Sequence, residues 1–176
     1  ESAFYRSSLT SLSIPKSVIQ IGKYSFSYCK KLTELIFLNS CSIESEALLY
    51  SNLKSIKFLS SVYLKERWCD SLEKLELISI IKDDKKQENI QFYDGKLIIG
   101  KSHSKSDTFD VILFACRNIK EVTIPHFITH IGGHSFANCE HLEKVEFSKD
   151  SKLRTIGISA FQNCLNGSIT IPPHVT

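Results

Sequence analysis

Residues 119–139 read IKEVTIPHFITHIGGHSFANC, and the rest of the chain is this stretch copied, worn down or extended. Its apolar positions are Ile119, Val122, Ile124, Ile128, Ile131 and Phe136, and Cys139 closes it. The same order of residue types recurs with unchanged spacing at Leu9, Leu12, Ile14, Pro15, Val18, Ile21, Gly22, Phe26 and Cys29. A third copy, two residues longer in its middle, runs through Leu142, Val145, Phe147, Leu153, Ile156, Gly157, Phe161 and Cys164. Self-similarity at such a period marks a repeat protein.

The first copy opens Leu-x-x-Leu-x-Ile, the alternation of a short strand with one buried face. In the first copy Leu12 and Ile14 are expected to point inward and Ser11 and Ser13 outward. Pro15, which has no N–H to donate, ends the strand. Gly22 is expected to supply backbone freedom at the next corner, after which residues 24 to 29 return along the opposite side and bury Phe26. The coil over 32 to 52 keeps Leu32, Leu35 and Phe37, with Ile43, Ala47 and Leu48 replacing the lost corner. The coil over 53 to 71 keeps Leu53, Ile56 and Phe58, with Val62, Leu64 and Trp68 inside. A fourth begins with Leu72, Leu75 and Leu77.

One coil alone cannot cover its apolar side chains. Coils laid about 4.8 Å apart form a parallel sheet in which equivalent residues stack as ladders. Phe4, Phe26, Phe136 and Phe161 share one ladder position.

The segment from 72 to 118 is about twice an ordinary coil. Within it, 82 to 88 is a charged loop, 101 to 108 a polar one, and 109 to 114 a strand. Asp94-Gly95 between two apolar segments signals a two-residue hairpin turn. Two worn repeats or one repeat carrying an inserted hairpin would both fit, and the hairpin is the favoured reading.

Composition narrows the function. The 176 residues are 42% hydrophobic, enough for a sizeable core, and the net charge is only +3, with 22 basic residues interspersed among 19 acidic ones. That distribution shows no nucleic-acid footprint, and no nucleic-acid partner is expected. No apolar run approaches the roughly 20 residues that span a bilayer, so no membrane insertion is expected. Gly95 to Ser102 matches the letters of a phosphate-binding loop, but Leu97-Ile98-Ile99 is strand-like and no helical period follows, so a hairpin outweighs nucleotide binding. His126, His130 and His134 would share a face only on a helix, which Pro125 and Gly132-Gly133 interrupt; they count as surface positions and not as metal ligands. Of six cysteines, Cys29, Cys69, Cys116 and Cys139 stand three residues before a coil opening and Cys164 closes its own coil, while Cys41 stands apart. They are expected to be buried free thiols at one repeated turn. Without a C-x-x-C pair, zinc and thioredoxin-type redox chemistry find little support. No cofactor is expected. Asn166-Gly167-Ser168 has the form of a glycosylation acceptor.

The string I-P-x-x-V-x-x-I-G-x-x-S-F-x-x-C-x-x-L at residues 14–32, repeated with Ile for Val at 124–142, resembles the BspA-like class of leucine-rich repeat. The Asp94-Gly95-Lys96-Leu97 hairpin before a Pro-containing coil resembles an element also seen between repeats of that family. The resulting expectation is an α/β solenoid. It would be a leucine-rich repeat stack with a parallel β-sheet on one face, mostly β with short helical turns and an inserted hairpin. Residues 1–176 would form a single domain cut from a longer array, degenerate or inserted at about 78–118. The resemblance implies a surface-exposed or secreted, non-enzymatic module that adheres to host or matrix proteins. The competing readings are a structural spacer or intracellular interaction scaffold and, remotely, a nucleotide-binding enzyme. The candidate binding face is the outward side of the sheet. Ser13, Ile36, Lys57, Glu76, Thr123, Glu146 and Thr170 fall in one column, with Ser11, Glu34, Ser55, Lys74, Glu121, Lys144 and Ser168 beside it.

Overall fold

The computed structural model describes residues 1–65, 67–80, 89–103, 107–164 and 168–176. The charged segment 82–88, part of the polar segment 101–108, and the first two residues of the Asn166-Gly167-Ser168 string lie outside the described residues. The chain divides into two compact units, Glu1–Ile90 and Gln91–Thr176.

In the first unit, β1 (Ser11–Ile14), β3 (Glu34–Phe37), β5 (Ser55–Phe58) and β7 (Leu77–Ile80) form a parallel sheet in that order. A second parallel ladder joins β2 (Gln20–Ile21), β4 (Cys41–Ile43) and β6 (Val62–Leu64). The register sets Leu12 beside Leu35 and Leu35 beside Ile56, so one alternation of side chains builds the interior across the coils. Leu35, Phe37, Ile43, Ala47, Leu48, Ile56, Phe58 and Trp68 are all buried, as their sequence phase requires. Pro15 follows the last residue of β1, and its carbonyl accepts the Val18 N–H at 3.0 Å, closing the turn.

The fourth coil departs from its expected phase. Leu77 pairs with Ser55 and is 56% exposed, whereas Ile78 pairs with Ile56 and is 3% exposed. The coil therefore opens at Leu75, Ile78 and Ile80, three residues later than Leu72, Leu75 and Leu77. Both triplets fit Leu-x-x-Leu-x-Ile. The later one leaves a longer turn before the strand and still buries Leu72 and Leu75.

The side opposite the strands holds no helix among the described residues, so the expected short helical turns are replaced by another device. Among the described residues six returning turns carry a pair of left-handed residues four apart: Ser2 and Arg6, Tyr24 and Tyr28, Glu46 and Tyr50, Arg67 and Ser71, His134 and Asn138, Ser159 and Asn163. Backbone N–H groups alternate between two kinds of partner. Ser25, Ser27 and Cys29 donate back to Gly22, Tyr24 and Phe26 of their own coil, while Phe26 and Tyr28 donate to Ala47 and Leu49 of the next. Turns and inter-coil bonds thus share the backbone groups that a helix would satisfy internally. The hydrogen bonds offset the roughly 1–2 kcal/mol that a left-handed non-glycine residue costs.

This pattern also moves one cysteine. Arg67 and Ser71 bracket Cys69 as Tyr24 and Tyr28 bracket Phe26, and Leu72 N–H donates to Cys69 as Cys29 N–H donates to Phe26. Cys69 therefore occupies the phenylalanine ladder position instead of the cysteine turn.

In the second unit β8 (Ile90–Tyr93), β9 (Leu97–Gly100) and β10 (Val111–Ala115) are neighbours, with β9 antiparallel to β10. Asp94 and Gly95, both at positive φ, form the tight turn between β8 and β9, and Lys96 N–H closes it on Tyr93 at 3.1 Å. The inserted hairpin is thus present where Asp-Gly places it. Beyond β10 the same sheet continues in parallel through β12 (His130–Ile131) and β14 (Thr155–Ile156). A separate parallel ladder joins β11 (Glu121–Ile124), β13 (Lys144–Phe147) and β15 (Ser168–Ile169). The core gathers Ile112, Ile124, Ile128, Ile131, Phe136, Cys139 and Leu142.

The corner glycines answer to crowding and not to φ. A Cβ on Gly132 would lie 2.7 Å from the Ile112 carbonyl oxygen, which accepts the Gly132 N–H at 2.8 Å. Among the described glycines only Gly95 has positive φ. The expectation of backbone freedom at Gly22 is accordingly corrected to close approach of neighbouring chain.

Candidate functional site

The strands bury one side and leave the other open, so the outward side chains are positioned by backbone register alone. In the first unit Ser13, Ile36, Lys57 and Ser79 form one column, and Ser11, Glu34, Ser55 and Leu77 the next. Lys74 and Glu76, expected there, are exposed but precede β7; the three-residue shift of the fourth coil puts Leu77 and Ser79 in their places. Lys57 Nζ lies 3.0 Å from Glu34 Oε1 across two strands. Such partly exposed pairs contribute up to about 1 kcal/mol, and they fix where each charge stands.

In the second unit Glu121, Lys144 and Ser168 align, as do Thr123 and Glu146, with Thr170 just past β15. All six side chains are exposed. Lys144 Nζ sits 2.5 Å from Glu146 Oε1 along one strand. The hydrogen bond to Glu146, reinforced by its charge, raises the Lys144 pKa above the ordinary lysine value, so the ammonium persists throughout the neutral range.

Thr123, Lys144, Glu146 and Thr170 floor a groove of about 890 Å³, with Ser148, Lys149, Pro172, Pro173 and His174 at its sides. Ser148 was legible as one more step of the outward alternation after Glu146. Pro172 to His174, which follow β15, carry no such signal, because they lie beyond the alternating strand. Chemically the groove offers paired opposite charges, hydroxyls and proline rings. That combination suits reversible recognition of a polar surface and supplies no activated nucleophile.

The other candidates resolve differently. Gly95 to Gly100 is hairpin turn and β9, with Leu97, Ile98 and Ile99 buried, which is not the strand-to-helix turn that cradles phosphates. Ser102 leans back onto Asp110, its N–H and hydroxyl reaching the carboxylate at 2.8 and 2.9 Å. His126 is exposed, while His130 shares a 2.6 Å hydrogen bond with Thr129 Oγ1. Among the described residues no three His, Cys, Asp or Glu side chains are grouped to hold a metal ion. All six thiols are free, with Cys164 half-buried and the other five buried. Among the described residues no helix is long and apolar enough to cross a membrane.

The chain shares its fold with solved bacterial structures. One is the pneumococcal vaccine antigen PcpA, at a TM-score of 0.73 and 20% identity over 99% of this chain and 42% of that one. Another is a leucine-rich cell surface protein of Faecalibacterium prausnitzii, at 0.72 and 20% over 99% of this chain and 51% of that one. A third, a leucine-rich repeat protein of Eubacterium ventriosum, gives 0.56 and 14% over 89% and 52%. The chain spans about half or less of the length of these structures. No curated protein matches it. The family described as BspA-type leucine-rich repeat region matches in six copies over residues 1–101 and 108–176. With the repeat covering nearly every residue, the chain belongs to the BspA-type leucine-rich repeat family.

Proposed function

We propose that this chain is a non-enzymatic protein-binding module of a surface-displayed or secreted protein, and that it adheres to host or matrix proteins through the open face of its strands. The observation that carries this reading is the groove over β11, β13 and β15, where Thr123, Lys144 and Glu146 stand exposed on a parallel ladder with Thr170 just past its end. Backbone register holds these side chains in place, so little ordering is required on binding. The names of two structures sharing the fold, a vaccine antigen and a cell surface protein, support the location. Six repeat copies and a fold that presents extended faces support the binding role.

The test is binding of the purified chain to a panel of immobilised extracellular-matrix proteins, with the double charge reversal Lys144→Glu and Glu146→Lys as control. Saturable binding that falls at least tenfold in the variant, with melting unchanged, supports the reading. A structural spacer predicts no saturable binding to any panel member, and that result would overturn it.

A further inference from the structure

The repeat brings two cysteines to one column of the second unit, and the first unit shows what that column does. Ser7 stands three residues after Phe4 and Cys29 three after Phe26. Ser7 Oγ lies 3.3 Å from Cys29 Sγ, and the Cys29 thiol donates to the Phe4 carbonyl at 3.0 Å. In the second unit Cys139 follows Phe136 and Cys164 follows Phe161 at the same offset. The Cys164 thiol donates to the Phe136 carbonyl at 3.0 Å, the same oxygen that accepts the Cys139 N–H at 3.1 Å. The ring pairs agree as well, Phe4 on Phe26 at 5.1 Å and Phe136 on Phe161 at 4.9 Å. Cys139 thus takes the place of Ser7, so the column that holds an oxygen and a sulfur in the first unit holds two sulfurs in the second.

The backbone geometry suits a covalent bond. Asn138 N–H donates to Gln162 at 2.8 Å, and Asn163 Nδ2 donates to Asn138 Oδ1 at 2.9 Å, so the residues just before the two cysteines are joined across the coils. The coils that carry the two cysteines are paired through β12 and β14, and strands so paired lie about 4.8 Å apart, within the roughly 4.4–6.8 Å between Cα atoms that a disulfide spans.

We propose that Cys139 and Cys164 are an oxidisable pair, which a small-molecule disulfide such as oxidised glutathione converts into a covalent cross-link between adjacent coils. Cys164 is half-buried and reachable, whereas Cys139 is fully buried, so the exchange starts at Cys164. Its sulfur attacks oxidised glutathione, the reagent's S–S bond breaks, and one glutathione leaves as thiolate. Cys139 then attacks the Cys164 sulfur of the mixed disulfide and expels the second glutathione. Two protein thiols are oxidised, one glutathione disulfide is reduced to two glutathiones, and the released protons go to solvent or the leaving thiolates.

The surroundings favour this pair over the other thiols. Arg117, 3% exposed, places Nη1 3.7 Å from Cys139 Sγ. Interaction with the Cys164 side chain, together with this guanidinium, holds the Cys139 thiol below the ordinary cysteine value despite its burial, while the same interaction and burial raise Cys164. The negative charge of the pair is therefore favoured on Cys139, which takes up the Cys164 proton as Cys164 attacks the reagent and then, deprotonated again, is the nucleophile of the second exchange. Burial pushes Cys41 and Cys116 up to about 11 instead. Cys69 sits at the ring position of its coil.

The test equilibrates the native chain with oxidised glutathione at mildly alkaline pH, quenches with acid, alkylates the remaining thiols and maps peptides without reduction. The expected product is a single intramolecular link between Cys139 and Cys164, leaving four of six thiols free. It should disappear in Cys164→Ser, a replacement the column already accepts at Ser7, and persist in Cys41→Ser. Six free thiols after oxidation, a product that stops at glutathionylated Cys164, or links spread over other cysteines would each overturn the proposal.

Discussion

At the scale of the residue, burial and register decide what each side chain does, and the fourth coil gives the sharpest contrast. Leu77 and Ile78 are adjacent and both aliphatic, yet one stands at 56% exposure and the other at 3%. Ile78→Ala should lower the free energy of unfolding by about 2–5 kcal/mol, through lost transfer energy and the cavity left behind. Leu77→Ser should change it by no more than about 0.5 kcal/mol. Urea unfolding of the two variants reads the difference, and the reverse order would place Leu77 inside after all. The sequence could not choose between these phases, because Leu72, Leu75, Leu77 and Leu75, Ile78, Ile80 satisfy the same pattern. Where only one phase fits, as at Leu35 and Phe37 or Val122 and Ile124, alternation alone assigned the inward residues.

At the scale of the element, strands and the hairpin were legible and the returning side was not. Asp94-Gly95 names its own turn, since both residues tolerate positive φ. The left-handed pairs include Tyr, Glu, Arg and Ser, which seldom adopt this conformation, and only His134, Asn138 and Asn163 are of types enriched there, so the letters do not mark the device. The steric demand at Gly132 is equally hidden, because it comes from the Ile112 carbonyl of a neighbouring strand. Half of the candidate site followed the same division: its floor on β11 and β13 was readable from alternation, its Pro172 to His174 wall was not.

The hairpin's connection to the next coil makes an acid-sensitive prediction. Burial opposes ionisation of Asp110, but it is outweighed by hydrogen bonds from the Ser102 N–H and from the Thr129 and Ser102 hydroxyls, which hold the carboxyl below the usual aspartate value. Its folded pKa lies below the unfolded one, so its contribution is fully present above about pH 4 and is lost as pH falls through the folded value. Asp110→Asn should therefore cost about 1 kcal/mol at neutral pH and nothing additional at strongly acid pH. Chemical denaturation of both proteins across this range checks the point. A loss that stays the same at every pH would assign the effect to packing instead of charge.

At the scale of the whole molecule, a repeat array derives its stability from each coil covering its neighbour. Six copies of the family repeat cover the chain, and within each unit the same positions recur in contact: Phe4 on Phe26 and Phe136 on Phe161. Composition argued only against a nucleic-acid footprint and a bilayer span, and the binding reading came from the resemblance of the repeat to the BspA-like class. The open face supplies the residues of the proposed site, and the same stacking places Cys139 and Cys164 in one column.

The stacking of equivalent side chains from successive coils is tested most directly by a double-mutant cycle on Phe136 and Phe161, whose rings lie 4.9 Å apart with a 16° interplanar angle. Unfolding free energies would be measured for Phe136→Leu, Phe161→Leu and the double variant. Stacked rings predict a coupling of about 0.5–1.5 kcal/mol, whereas strictly additive losses would show that the two phenylalanines do not share a column.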